Sequence, residues 1–133
     1  MSDEVKTNAV CPPSLVMAHA DPGYEAALAR GFRRLGWDVY RARSGPEVRR
    51  LVPMLGADLV ILDADLPDES GWLTCDKLTR ERQRVQVILV TGEPGPLNHA
   101  MASFVGASAL IHRSEGPGRV IEEVCGSAVH AAG

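Results

Sequence analysis

Short, near-continuous apolar runs alternate along this chain with longer amphipathic segments, and that alternation limits the fold more than any other feature. Val60-Ile61-Leu62 and Val87-Ile88-Leu89-Val90 lack the in-out pattern of a half-solvated strand. Such runs are buried on both faces, as in a parallel sheet covered by helices. Strands are predicted at residues 15–18, 37–42, 59–62, 85–90 and 109–111. Helices are predicted between and after them. Residues 24–35 place Tyr24, Leu28, Phe32 and Leu35 on one stripe and stop at Gly36. Residues 46–55 follow Ser44-Gly45 and end at Gly56, residues 70–82 carry Leu73, Lys77, Leu78 and Arg80, residues 96–105 end at Gly106, and residues 119–129 close the chain. The predicted fold is α/β: a five-stranded parallel, doubly wound (βα)5 sandwich, with its site at the carboxyl ends of the strands.

With 133 residues there is room for one domain and no second one. Its expected limits are 14–130, after a polar leader of residues 1–13 ending in Pro12-Pro13 and before a tail of residues 131–133. Charged residues make up 23% and hydrophobic residues 45%, which excludes disorder. No apolar run approaches the roughly 18 residues of a membrane span, and the acidic, polar start lacks a signal-peptide core, so the cytoplasm is the expected compartment. A net charge of −3 argues against a nucleic-acid binder. Cys11, Cys75 and Cys125 form no CxxC pair, so neither a disulfide framework nor a zinc knuckle is expected. Cys11 also lacks the apolar stretch of a lipoprotein cleavage site.

The residues just after each predicted strand are His19, Ala20 and Asp21, then Asp63 and Asp65, then Thr91-Gly92, then His112-Arg113. A carboxylate, a hydroxyl and a guanidinium in one crevice suit a phosphoryl group: the last two bond its oxygens while the carboxylate attacks phosphorus or holds metal.

The run from Asp58 to Gly71, with its strand-Asp-x-x-Leu-Pro-x-x-x-Gly spacing, resembles the central motif of response-regulator receiver domains, the CheY-like family of two-component signalling. Val87 to Gly92 is similar to that family's fourth strand, and Gly106-Ala107 precedes the fifth. The resemblance spans about residues 14–130 and implies the flavodoxin/CheY-like fold. It implies further that Asp63 is the phosphoacceptor, Thr91 the phosphoryl-binding hydroxyl, and Asp65 the position whose carbonyl helps to hold magnesium.

Departures from the pattern are equally definite. The paired acidic residues that end the family's first strand are replaced by His19 and Ala20. The family's lysine aligns with Arg113 and the next proline with Ser114, and the chain's two lysines, Lys6 and Lys77, lie elsewhere. The aromatic switch position reads Leu110. This resembles an atypical, or pseudo, receiver.

Magnesium wants several oxygen ligands, so without the acidic pair its binding is expected to be weak or absent; Asp21, Asp63 and Asp65 are the ligands if there is any. Asp21 is open to a second reading, as the cap of the helix begun by Pro22. His19 has three readings: a structural residue, a ligand to a softer metal together with Asp63 or Asp65, or a pH-sensitive counter-ion to Asp63. His112 joins the site only if strand five turns it inward. Arg113 either pairs bidentately with Asp63 or points to solvent. Seven of the 14 basic residues (Arg30, Arg33, Arg34, Arg41, Arg43, Arg49 and Arg50) make either a patch for acidic partners or a solvated face. Trp37 and Trp72 are expected at strand and helix edges.

The resemblance therefore implies a stand-alone, non-enzymatic signalling module that works through protein contacts, with phosphorylation at Asp63 weak or dispensable. The alternative is a working phosphorelay receiver phosphorylated on Asp63 by a partner histidine kinase. Only about 20 residues follow strand five, so no output domain is expected. Partners are a histidine kinase or a downstream target protein, or a second copy through the face of helix four, strand five and helix five. Membranes and nucleic acid are not expected partners. Asp63-Ala64-Asp65 also resembles the nucleophile motif of haloacid-dehalogenase phosphatases, but it lies mid-chain and no Asp follows Asp76. No glycine-rich phosphate loop follows strand one, which disfavours a flavodoxin-like small-ligand binder.

Overall fold

The computed structural model describes residues 12–82, 84–93 and 95–132. Most of the predicted leader, with Cys11 and Lys6, lies outside the described residues, as does Gly133.

The five apolar runs form β1 (Ser14–Ala18), β2 (Asp38–Arg41), β3 (Leu59–Asp63), β4 (Gln86–Thr91) and β5 (Ala109–His112). All pair in parallel in the order β2-β1-β3-β4-β5. The helices are α1 (Pro22–Arg34), α2 (Gly45–Leu55), α3 (Gly71–Glu81), α4 (Pro96–Phe104) and α5 (Pro117–Ala132), with a 3-10 turn at Arg113–Glu115.

Along β3 every residue is buried, and successive side chains enter different cores. Val60 and Leu62 join Val48, Val52, Cys75, Leu78, Ala102 and Val105 on the α2-α3-α4 side. Leu59 and Ile61 join Leu28, Phe32, Val120 and Val124 on the α1-α5 side. Because consecutive strand residues face opposite ways, two covered faces erase any polar alternation from the sequence.

Helix starts follow local chemistry. Asp21 caps α1, its Oδ1 accepting from the N–H of Gly23 at 2.9 Å and of Tyr24 at 3.3 Å. The hydroxyls of Ser44 and Ser70 accept from Glu47 and Leu73 to cap α2 and α3. Gly36, at φ 91°, takes the left-handed conformation after α1.

Several expectations are corrected. Leu35 leaves the apolar stripe because it is the C-cap of α1, where it is exposed. Trp37 precedes β2 and packs edge-on against Phe32, with ring centroids 5.5 Å apart. Helix α5 begins at Pro117 and runs to Ala132, taking in residues expected as a tail. The basic cluster, by contrast, is the expected solvated face: all seven arginines except Arg49 are exposed, while Arg33 donates to the Val39 carbonyl and Arg41, Arg49 and Arg50 pair with Glu25, Glu69 and Glu47. No helix among the described residues is long and apolar enough to cross a membrane.

Candidate functional site

The sheet order departs from β1 in both directions, to β2 on one side and β3 on the other. The chain leaving β1 therefore opens a crevice at the carboxyl ends of β1 and β3. His19 follows β1 and Asp63 ends β3, so the topology makes neighbours of residues 44 positions apart.

Asp63 is 3% exposed. Its two carboxylate oxygens accept backbone N–H bonds, Oδ2 from Ala20 at 3.1 Å and Oδ1 from Asp65 at 2.9 Å. The loop beyond β3 is held by the Ala64 N–H donating to the Val90 carbonyl and the Gly71 N–H donating to Ala64. Gly71 is a steric requirement: an added Cβ would stand 2.3 Å from the Asp63 carbonyl oxygen and 2.8 Å from Ala64 Cα. That close approach is the physical content of the glycine in the Asp-x-x-Leu-Pro-x-x-x-Gly motif.

His19 is buried over Asp63, with its Nδ1 3.7 Å from the carboxylate Oδ2. Nδ1 accepts the Asp21 N–H at 3.0 Å, so the nitrogen facing the carboxylate is the unprotonated one. The ring stacks on Tyr24 at 4.4 Å and 16°, and among the described residues neither His19 Nε2 nor the Tyr24 hydroxyl has a hydrogen-bond partner. Burial lowers the His19 pKa below its ordinary 6.5, outweighing the opposing pull of Asp63. Burial likewise pushes the Tyr24 hydroxyl up to about 12. Packing on Tyr24 and burial thus favour the neutral form of His19 beside Asp63.

Thr91 ends β4, buried at 3%, its Oγ1 accepting from the Glu93 N–H at 3.1 Å. The exposed Arg113 lies along Gly92, its Nη2 3.0 Å from where a Cβ there would sit. No Arg113–Asp63 pair is among the ion pairs of the described residues, so the bidentate pairing is not formed. Asp65 contributes its backbone N–H while the residue itself is exposed. Asp21, exposed at the start of α1, uses one carboxylate oxygen, Oδ1, for its capping bonds. His112 stays local, its Nδ1 accepting from Ser114 and its N–H donating to Glu115.

The site thus assembles Asp63, Thr91, His19 and the Asp65 backbone, with Arg113 at its edge. The donors fit magnesium poorly: Asp63 is the one buried carboxylate at the crevice, and an imidazole is a poor ligand for so hard an ion. Among the described residues no group of three His, Cys, Asp or Glu side chains is arranged to hold a metal ion.

Two features were not legible in the sequence. Tyr24 read only as a member of the α1 stripe, yet it supports His19. Glu69, in the loop before α3, is buried and accepts from Arg49 on α2 at 2.8 and 3.0 Å, from the Thr74 hydroxyl at 2.6 Å and from Lys77 at 3.2 Å. The Arg49 hydrogen bonds, with those from Thr74 and Lys77, hold its carboxyl down at about 2.

A model of the response regulator receiver domain family matches residues 16–124, and the chain belongs to that family. It is 33% identical over 100 residues to the TorCAD operon transcriptional regulatory protein TorR of Escherichia coli K12, covering 75% of this chain and 43% of that protein. It is 28% identical over 110 residues to the transcriptional regulatory protein AfsQ1 of Streptomyces coelicolor, covering 83% of this chain and 48% of the relative. The chain therefore spans a little under half the length of these curated relatives. Among solved structures, the receiver domain of the TMAO respiratory system response regulator TorR superposes with a TM-score of 0.79 at 28% identity, over 90% of this chain and 98% of that one. A CheY-like receiver domain protein from Methanospirillum hungatei superposes with a TM-score of 0.80 at 20% identity, over 88% and 94%. The five-stranded CheY-like architecture is thereby shared.

Proposed function

We propose that this receiver domain signals through protein contacts, with phosphorylation of Asp63 weak or dispensable. The observation that carries the reading is His19: a neutral imidazole, stacked on Tyr24 and fixed by the Asp21 N–H, stands beside the acceptor where the family's acidic pair would be. Phosphoryl transfer needs charge neutralised as it spreads over the equatorial oxygens. Here that task falls to Thr91 and the solvent-exposed Arg113, with no second carboxylate to bring in magnesium. Asp63 with its hydrogen-bonded oxygens serves as a structural keystone between β1, β3 and α3.

The test is incubation with acetyl phosphate, with and without magnesium, read by intact mass with Asp63→Asn as the blank. Little or no adduct is expected. The alternative, a phosphorelay receiver modified on Asp63 by a histidine kinase, is favoured by the burial of Thr91 beside the acceptor strand. Rapid magnesium-dependent labelling, lost in Asp63→Asn, establishes that alternative and overturns the proposal.

A further inference from the structure

Strand β2 stands at one end of the sheet order, with β1 on one side and, among the described residues, no strand on the other. Its alternate residues bond β1: the Asp38 N–H donates to the Pro13 carbonyl and the Ala42 N–H to Met17. Val39 and Arg41 therefore direct their backbone groups outward, along the edge. One of these groups is used, because Arg33 Nη2 on α1 donates to the Val39 carbonyl at 3.2 Å, where a neighbouring strand would place its own N–H. Among the described residues the Val39 N–H and both backbone groups of Arg41 stay open. Beside them lies a groove of about 450 Å³, lined by Arg33, Gly36, Trp37, Asp38, Val39 and Tyr40. Half-buried Trp37 and exposed Tyr40 give it apolar walls.

The chemistry of this edge selects its occupant. A row of open N–H and C=O groups is completed by another extended backbone. Charge then decides which one. Between residues 30 and 43 five arginines stand against one acidic residue, Asp38, in a chain whose net charge is −3. Arg30 lies one turn before Arg33 on α1 and Arg43 follows β2, both exposed. Arg41 is paired with Glu25, whereas Arg30 and Arg43 join none of the ion pairs among the described residues. Solvated in the free chain, these two arginines favour a strand that carries carboxylates and oppose a basic one. Nucleic acid has phosphates for the arginines but no amide backbone to complete the ladder.

We infer that the β2 edge takes an acidic, extended peptide segment of a partner protein, which adds to the sheet beside β2 with its carboxylates towards Arg30 and Arg43. Such a strand bonds the backbone of Arg41 and the Val39 N–H, and sets apolar side chains against Trp37 and Tyr40. Main-chain bonds supply the affinity, and the flanking charges and the groove supply the selectivity. The inference rests on the reading that the domain works through protein contacts and not on the chemistry of Asp63, so labelling by acetyl phosphate and binding of a peptide fail separately.

Titration of the full chain, in a Trp72→Phe background, with the acetylated and amidated peptide Glu-Val-Asp-Val-Glu-Val-Asp tests the inference, read by Trp37 emission. Saturable, sub-millimolar binding is expected, weakening as salt rises. A strand on an edge uses alternate residues, so N-methylation of one alternate set of peptide N–H groups should weaken binding at least about tenfold, and of the other set little. The double variant Arg30→Glu, Arg43→Glu should bind at least about tenfold more weakly. Circular dichroism of each variant verifies that the fold is intact. No saturable binding overturns the inference. So does binding that neither set of methyl groups changes, or equal binding of a peptide with Lys in place of each acidic residue. A single-stranded oligonucleotide held by the same arginines, with no binding of the peptide, overturns it in favour of nucleic acid.

Discussion

His19 Nδ1 lies 3.7 Å from Asp63 Oδ2 without a proton between them, because that nitrogen already accepts the Asp21 N–H. The Asp63 carboxylate therefore faces a lone pair rather than a cation. The arrangement holds only while His19 remains neutral, and its burial favours that state.

Stability should consequently depend on pH below neutrality. The folded pKa of His19 lies below the unfolded value of 6.5, so the unfolded chain binds the proton first. The contribution of His19 is complete above about pH 6.5 and is lost as pH falls through its lowered folded pKa. Urea midpoints are expected to fall from pH 7.5 to pH 5 more steeply in the wild type than in His19→Gln. Equal slopes would show that His19 titrates alike in both states.

The Glu69 network should act in a lower window. Its carboxyl is held at about 2 against an ordinary 4.5, so its stabilisation is present above 4.5 and is lost as pH falls toward 2. Arg49→Ala removes the bidentate partner and leaves a buried carboxylate with Thr74 and Lys77 alone. We expect a loss of about 2 kcal/mol at pH 7, since removing one partner of a buried pair exposes the desolvation cost of the other. A change below about 0.5 kcal/mol by urea denaturation would reduce the network to an ordinary surface pair.

Gly71→Ala and Gly36→Ala should differ in kind. At Gly71 the new Cβ would meet the Asp63 carbonyl oxygen at 2.3 Å, so α3 must move away from β3, at about 2–4 kcal/mol. At Gly36 the space is open and only the positive φ is violated, at about 1 kcal/mol. Thermal denaturation of the pair measures the difference; equal losses would contradict the steric account of Gly71.

Restoring the missing charges should create a magnesium site. With His19→Asp and Ala20→Asp, alone or together with Arg113→Lys, millimolar magnesium is expected to stabilise the fold, by about 2.7 kcal/mol at 100 times the dissociation constant. The wild type should show no such shift. The triple variant should also gain labelling by acetyl phosphate. If the restored variant neither binds magnesium nor labels, the defect lies in the backbone geometry around Asp63 rather than in the substituted side chains.

Much of this was written locally in the chain. Unbroken runs such as Val60-Ile61-Leu62 dictate strands buried on both faces, while Asp21, Ser44 and Ser70 begin helices through bonds to N–H groups three or fewer residues away. The spacing from Asp63 to Gly71 marks the loop between β3 and α3, because one close backbone contact requires a glycine at that position. The same local reading overextended the stripe of α1 to Leu35, since periodicity does not report where a cap turns the chain. What tertiary structure alone decided are relations between distant side chains: which nitrogen of His19 faces Asp63, that Tyr24 stacks on that ring, that Arg113 lies along Gly92 instead of pairing with the carboxylate, and that Arg49 and Lys77 converge on Glu69. Those outcomes depend on sub-ångström differences in position and on competition among several donors for one acceptor. Sequence spacing names the competitors, and only the packed chain selects the partner.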